Sequence, residues 1–248
     1  MKCANKVAIV TGGSRGIGAA IARKLAAEGA TVAIVYKSNA EQAKSVLDTI
    51  ANAGGTAKAF AADVTDQSAA QATIEAVVKH FGRIDILINN AGALEMRNFG
   101  DIDNGHVSRL FSANMGSVLN MMQAAAPHFP PSGGRIVNVS TNLIYSPRPG
   151  TAIYAASKAA VSVLTNAFAK ELGARGITVN AVAPSMVSTD MTAATPEARR
   201  QAVIASTPAG RIGEPTDIAD VVAFLASDDS RWITGRTMLA DGGLTDAL

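Results

Sequence analysis

Short apolar runs rich in β-branched residues recur along the chain and alternate with longer segments of helical period. Seven runs have the length of strands, and they span residues 6–12, 31–36, 56–63, 83–90, 134–141, 176–184 and 236–243. Near-continuous apolar strands separated by helices need crossover connections, so we expect a parallel sheet covered on both faces. The pattern predicts an α/β protein with one domain over residues 1–248, a Rossmann-type doubly wound sheet of about seven parallel strands with helices on both faces.

Two segments between these runs predict helices with identifiable ends. Residues 65–82 place apolar side chains at i, i+3, i+4 and i+7, namely Ile74, Val77, Val78 and Phe81. Thr65 is the expected amino-terminal cap and Gly82 the expected end, and another helix is expected to begin at Pro215. Residues 185–215 lack strong periodicity and follow the carboxyl end of a strand, where such sheets bind ligands. We interpret them as a candidate substrate lid.

Composition excludes several classes of partner. The chain of 248 residues carries 22 Lys+Arg against 20 Asp+Glu and has no basic run, so neither nucleic acid nor a membrane surface is an expected partner. The single cysteine, Cys3, fits a reducing compartment, and no apolar run reaches the length of a membrane span. We expect a soluble, cytoplasmic protein. The three histidines are scattered, so no metal site or serine-hydrolase triad is indicated.

A glycine-rich loop, TGGSRGIG at residues 11–18, follows the first strand and opens the first helix. In that context backbone amides and a helix amino terminus can receive a pyrophosphate. The alternative is that the glycines only permit a tight turn. We predict cofactor contacts from six residues of the loop: Gly12, Ser14, Arg15, Gly16, Ile17 and Gly18.

The end of the second strand favours one cofactor over another. A carboxylate there would bind the ribose 2′-hydroxyl of NAD, but residues 31–40 contain no Asp or Glu. They end in Tyr36, Lys37 and Ser38, and Arg15 adds a second cation that can meet a 2′-phosphate. NADP(H) is therefore the expected cofactor, unless both cations are ordinary solvated side chains.

A tyrosine and a lysine four residues apart form the candidate proton-transfer pair. Tyr154 begins an alanine-rich helical run, so Lys158 lies on the same face one turn on. We expect this ammonium, together with an oxidised cofactor ring, to bring the pKa of the phenol from about 10 to near 7. Tyr145 has no such partner in its proline-rich loop and is interpreted as a pocket wall. The alternative for Tyr154 is a half-buried helix tyrosine with a chance lysine.

Three ordered motifs carry a resemblance to a known family. With TGGSRGIG, the NNAG of residues 89–92 and the Tyr154-x-x-x-Lys158 pair, the chain resembles the short-chain dehydrogenase/reductase family over essentially its whole length. It is most similar to the 3-oxoacyl-acyl-carrier-protein reductases and related NADPH-dependent ketoreductases. This resemblance implies a homotetramer, in which the LTDAL tail reaches a neighbouring site.

The resemblance also assigns further site residues. It implies that Asn114 holds a water in a proton relay and that eight residues line the cofactor: Asp63, Val64, Asn90, Ala91, Gly92, Pro184, Val187 and Thr189. The family usually has glycine after the proline, whereas this chain has Ser185, so an altered backbone is expected there.

Two neighbouring hydroxyls compete for the role of orienting the substrate oxygen. In the family a serine stands thirteen residues before the catalytic tyrosine, and that position is Thr141 here, with Ser140 beside it. Successive strand residues point to opposite faces, so only one of them can face the cleft easily. We assign the role to Thr141 and keep Ser140 as the second choice.

Together these features predict an NADPH-dependent oxidoreductase that reduces a small ketone or aldehyde, with Tyr154 as general acid. One alternative is an alcohol or sugar dehydrogenase that works oxidatively with NAD(P)+. An alternative of another class is a catalytically silent nucleotide-binding redox sensor. A carrier-protein thioester would favour basic surface near the cleft, for which the candidates are Arg97, Arg109 and Arg148.

Overall fold

The computed structural model describes residues 1–246, and its centre is a seven-stranded parallel sheet in the order β3-β2-β1-β4-β5-β6-β7. The strands are β1 Val7–Thr11, β2 Thr31–Tyr36, β3 Thr56–Ala61, β4 Ile86–Asn89, β5 Gly134–Val139, β6 Ile177–Pro184 and β7 Thr237–Ala240. Every neighbouring pair is parallel. The predicted doubly wound architecture is confirmed.

Eight α-helices within residues 1–246 cover the two faces of the sheet. They are α1 Gly16–Ala27, α2 Ala40–Asn52, α3 Gln67–Phe81, α4 Asn104–Phe111, α5 Ser117–Ala125, α6 Ala152–Leu172, α7 Glu197–Ser206 and α8 Pro215–Leu225. On one face α1 packs against α8, and on the other α3 packs against α5. Side chains of β1 alternate between these layers, with Val10 in the first and Ile9 in the second.

The strand order places a binding cleft between β1 and β4. The chain winds outward from β1 through β2 to β3, and then crosses to β4 on the other side. Connections therefore diverge above the carboxyl ends of β1 and β4, which leaves a crevice at that edge of the sheet. The segments that follow β1, β4, β5 and β6 meet there, and they carry most of the candidate site residues.

Several predicted boundaries differ from those observed. Asp66, not Thr65, caps α3, because its carboxylate accepts from the Ala69 amide at 2.8 Å, while the Thr65 hydroxyl donates to Asp63. Gly82 ends that helix with a φ of 83°, and Pro215 begins α8, both as predicted. Helix α6 begins at Ala152, two residues before Tyr154.

The segment 185–215 has more regular structure than its sequence suggests. It contains α7, and its two ends are joined by a parallel bridge between Val187 and Gly213. Val203 is buried, which fixes one face of α7 against the protein. At the carboxyl terminus, Thr245 accepts a hydrogen bond from the Asn142 amide of the same chain, whereas residues 247–248 of the LTDAL tail lie outside the described residues. Within residues 1–246, no helix has both the length and the apolar character that crossing a membrane requires.

Candidate active site

The glycine loop between β1 and α1 is a concave backbone surface that side chains would fill. Gly12 and Gly16 have φ values of +62° and +53°, a region that L-residues with a Cβ rarely adopt. A Cβ on Gly18 would collide with the carbonyl oxygen of Gly12. Arg15 precedes the first turn of α1 and its side chain does not cap it, so the turn's amides remain for a ligand. The loop fits a dinucleotide pyrophosphate.

The NNAG segment braces this loop from β4. The amides of Asn90 and Ala91 both donate to the Thr11 hydroxyl at 3.0 Å, and the Asn90 side chain donates to the carbonyl oxygens of Thr11 and Gly12 at 2.9 and 3.2 Å. The structure therefore gives Asn90 a bracing contact with the loop. Thr11 is part of this brace but was missed from sequence, where its position at the end of a buried strand was the only signal.

The two cations predicted for a 2′-phosphate both have carboxylate partners. Lys37 Nζ lies 2.6 Å from an Asp63 oxygen, and Arg15 lies 3.7 Å from Asp190. The Lys37 bond, followed by one from Thr65, lowers the pKa of Asp63 below its usual range. Both cations are more than half exposed, so these pairs contribute little to stability and can exchange for a phosphate. Tyr36 ends β2 beside Lys37 and Ser38.

The first turns of α6 bring the tyrosine and the lysine to the carboxyl end of β5. Lys158 is buried, and its ammonium donates to the Val139 carbonyl oxygen at 2.7 Å. A Cβ on Gly92 would lie 3.2 Å from the same ammonium, so the NNAG segment closes against it. Glycine at position 92 therefore lets the lysine reach the cleft.

The two adjacent hydroxyls point in different directions. Ser140 donates to the Lys158 carbonyl oxygen at 3.2 Å and lies 3.3 Å from the Ser162 hydroxyl, so it faces the body of α6. The Thr141 hydroxyl lies close enough to the Tyr154 phenol to oppose part of the rise in its pKa, and it accepts from the Leu143 amide at 3.3 Å. The structure therefore groups Thr141, rather than Ser140, with the phenol of Tyr154.

Burial shifts the pKa values of both Tyr154 and Lys158. It raises the pKa of Tyr154 to about 12, against a smaller opposing effect of the Thr141 hydroxyl, and it lowers the pKa of Lys158 to about 8. In the chain alone removal from water outweighs the effect of the Thr141 hydroxyl, so the phenol pKa lies above its usual value. The value near 7 that we expect beside an oxidised cofactor ring stays a prediction. At neutral pH the phenol holds its proton and can donate it.

Asn114 lies in a π-helical turn, Ser112–Gly116, between α4 and α5. Its amide oxygen accepts from the Ala93 amide at 2.8 Å, and its amide nitrogen donates to the Ala93 carbonyl oxygen at 3.0 Å and to the Ser157 hydroxyl at 2.9 Å. Both side-chain protons are thus used within the protein. Only the second acceptor position of Oδ1 is left for the water that the resemblance implies.

The segment after β6 reaches back to the glycine loop. Pro184 ends the strand, and a Cβ on Gly16 would lie 3.3 Å from the methyl group of Thr189. Among residues 1–246 only Asn5 combines a side chain with a positive φ. Ser185 therefore has an ordinary conformation, and the altered backbone expected from the missing glycine is not observed.

A glycine cradle at the switch point of a doubly wound sheet binds dinucleotides, and a buried tyrosine beside a lysine can supply a proton to a reacting oxygen. Together they define the class of Rossmann-type oxidoreductases. The family model described as enoyl-(acyl carrier protein) reductase matches residues 12–245.

Individual relatives agree with this class. The chain is 43% identical over 246 residues to an uncharacterized oxidoreductase of Methylorubrum extorquens, covering 98% of this chain and 99% of the relative. It is 40% identical over 240 residues to a 3-oxoacyl-[acyl-carrier-protein] reductase of Staphylococcus aureus, covering 96% and 98%. The crystal structure of a short chain dehydrogenase from Burkholderia cenocepacia in complex with NADP superposes with a TM-score of 0.93 at 40% identity, covering 98% and 99%. The chain belongs to the short-chain dehydrogenase/reductase family, close to its 3-oxoacyl-acyl-carrier-protein reductases.

Proposed function

We propose that the protein is an NADPH-dependent carbonyl reductase in which Tyr154 protonates the carbonyl oxygen of a ketone or aldehyde. The observation that carries this proposal is that the Tyr154 phenol, the Thr141 hydroxyl and the Lys158 ammonium come together at the carboxyl end of β5. This phenol is protonated at neutral pH and can therefore act as the general acid. The bound nicotinamide cofactor would supply the hydride.

The chain's own residues divide the remaining tasks. Thr141 donates a hydrogen bond to the substrate oxygen, which orients the carbonyl and stabilises the charge that develops on it. Lys158 would hydrogen-bond the ribose of the bound cofactor, and its positive charge lowers the cost of removing the proton from Tyr154. Asn114 holds, through the free acceptor position of its amide oxygen, a water that returns protons toward Lys158.

NADP(H) rather than NAD(H) is supported by the charges at the adenosine end. The glycine loop contributes Arg15 and the end of β2 contributes Lys37, with no carboxylate on residues 31–40. Each cation is paired through a contact that is more than one-third exposed on both sides, so a 2′-phosphate can replace the carboxylate. The relative solved in complex with NADP supports the same choice.

The segments beside the site support a substrate with apolar substituents. Met96, Tyr145 and Met191 follow β4, β5 and β6, and they expose 60%, 40% and 55% of their surfaces. Met96 also packs near Gly150, four residues before Tyr154, so it lies between the first two segments. The candidate lid 185–215 carries Met191, and its closure would bring that side chain toward the cleft. Large exposed apolar side chains in one region mark a binding surface.

Charges beside this surface are already neutralised. Glu95 pairs with Arg97 at 2.9 Å and with Arg109 at 3.1 Å, and Arg97 also pairs with Asp103. Two of the three arginines considered for a carrier-protein substrate are therefore engaged. The exposed apolar side chains, rather than these exchangeable surface pairs, favour a small apolar carbonyl compound over a carrier-bound thioester, although a Staphylococcus aureus relative is named for the latter.

Initial rates would test this assignment. We expect NADPH to be consumed with aryl and alkyl ketones, more slowly with a carrier thioester, and NADH to give a KM at least about tenfold higher. A preference for NADH would contradict the role of Lys37 and Arg15. Faster turnover of an alcohol or sugar with NAD(P)+ would favour the oxidative alternative, and NADPH binding without turnover on the whole panel would favour the redox sensor.

A further inference from the structure

A buried serine joins the Asn114 segment to the helical turn that carries Tyr154 and Lys158. Ser157 lies on α6 and is fully buried. Its hydroxyl donates to the Tyr154 carbonyl oxygen at 2.7 Å and accepts from the Asn114 amide nitrogen at 2.9 Å. The contact spans 43 residues of sequence, so it links two elements that are otherwise held together by packing.

The direction of these bonds fixes the orientation of the Asn114 amide. A serine hydroxyl has one proton, and Ser157 gives it to the Tyr154 carbonyl oxygen, so it faces Asn114 only as an acceptor. The nitrogen end of the amide must then point to α6. The oxygen end points to the Ala93 amide at 2.8 Å and to the space above Gly92, where a Cβ would lie 2.7 Å from this oxygen.

That space is shared with the catalytic lysine. The same Cβ on Gly92 would lie 3.2 Å from Lys158 Nζ, so the amide oxygen and the ammonium converge on one point. An amide oxygen near an ammonium favours the charged lysine, whereas an amide nitrogen turned the same way would disfavour it. The orientation of Asn114 therefore bears directly on the charge that assists Tyr154.

We propose that Ser157 is a positioning residue for the carbonyl reduction, which acts through Asn114 by holding the amide oxygen toward Lys158. This inference rests on the proposed function. Ser157 is fully buried, so it would reach neither substrate nor cofactor, and we expect it to contribute to the chemical step without contributing to binding.

Ser157→Ala removes the hydroxyl with little change of shape and leaves one proton of the Asn114 amide without an acceptor. Because the Asn114 amide can then turn its oxygen away from Lys158, kcat is expected to fall about tenfold or more. The KM values for ketone and NADPH, and the NADPH dissociation constant from fluorescence quenching, should stay within about twofold. This split between kcat and KM is what a merely structural serine would not produce.

Thr165→Val provides a matched control on the same helix. Thr165 is also fully buried, accepts from an asparagine amide, Asn138, at 2.9 Å, and donates to a backbone carbonyl oxygen at 2.8 Å. The variant should lose comparable thermal stability and keep its kcat within about twofold of wild type. If Thr165→Val lowers kcat as much as Ser157→Ala does, then both variants act by destabilising α6 as a whole, and the proposal is overturned.

A double-mutant cycle tests whether Ser157 acts through Asn114. In the Asn114→Ala background, Ser157→Ala should lower kcat by less than about twofold further, because the group it orients is gone. A full additional loss would overturn the proposal, as would a Ser157→Ala single variant with the kcat of wild type. The proposed function fails separately, if the wild-type protein itself consumes no NADPH with any carbonyl compound.

Discussion

The hydroxyl of Thr141 permits a quantitative test of which side chain contacts the reacting oxygen. Thr141→Val keeps the β-branched shape and removes the hydroxyl that interacts with the Tyr154 phenol. A preorganised donor to a developing oxyanion contributes about 2.7–4 kcal/mol, so kcat should fall about 100-fold or more. The lost bond from the Leu143 amide, 3.3 Å long, costs at most about 1 kcal/mol of stability. Thr141→Ser should keep kcat within about threefold.

Ser140→Ala is the control for this prediction. Ser140 bonds to the Lys158 carbonyl oxygen and approaches Ser162, so its loss should lower the melting temperature by a few degrees while kcat falls by less than about threefold. Steady-state kinetics with saturating NADPH and thermal melts on the same preparations separate the two effects. If Ser140→Ala loses kcat as severely as we expect of Thr141→Val, and Thr141→Val does not, the orienting hydroxyl is Ser140.

Three further substitutions each remove a charged side chain, and the structure predicts their effects. Burial lowers the pKa of Lys158 from 10.5 to about 8, so between those values the unfolded chain binds more protons and stability rises with pH. Lys158→Met should therefore abolish turnover yet melt at a higher temperature than wild type at pH 7, a gain that shrinks by pH 10. Lys37→Ala should raise the KM for NADPH about tenfold without changing that for NADH, while Lys44→Ala, an exposed lysine on α2, should change neither. Two Arg211 guanidinium nitrogens donate to the Asp217 carboxylate at 2.6 and 2.9 Å, and they hold its pKa at about 2. The folding stability that this pair contributes is therefore present above about pH 4 and is lost as pH falls through 2. Because both side chains are more than one-third exposed, Asp217→Asn should lower the melting temperature by only about 2–4 °C at pH 7 and by almost nothing at pH 2.

Sequence predicted well those parts of the fold that depend on a residue and its neighbours along the chain. Strands buried on both faces, such as β6, appear as continuous apolar runs, and Gly82 and Pro215 mark helix ends through their own backbone preferences. The cap of α3 was misplaced by one residue because Thr65 and Asp66 are both good caps and only their partners distinguish them. Helix α7 was missed since Val203 is its only buried residue, which leaves almost no apolar period.

The parts that sequence did not predict depend on contacts between distant segments. The lysine four residues on and an oxidised cofactor ring are the basis for expecting a low pKa of Tyr154, whereas the burial that raises this pKa in the chain alone comes from the surrounding fold. The bonds of Asn114 reach Ala93 and Ser157, which are 21 and 43 residues away, so neither its orientation nor its π-helical turn has a local signal. The carboxylate partners of Lys37 and Arg15, Asp63 and Asp190, are also distant along the chain.

The central claim, that Tyr154 supplies the proton in a hydride transfer, is tested most directly by reduction of a ketone with NADPH deuterated at the transferable position. With wild-type protein we predict an alcohol that carries one deuterium on the former carbonyl carbon. Tyr154→Phe should bind NADPH normally and form that product at least about 100-fold more slowly. Tyr145→Phe keeps the apolar ring of that exposed loop residue, so the rate should stay within about threefold of wild type. A Tyr154→Phe variant that works within tenfold of wild type, or an alcohol without deuterium, would contradict the account.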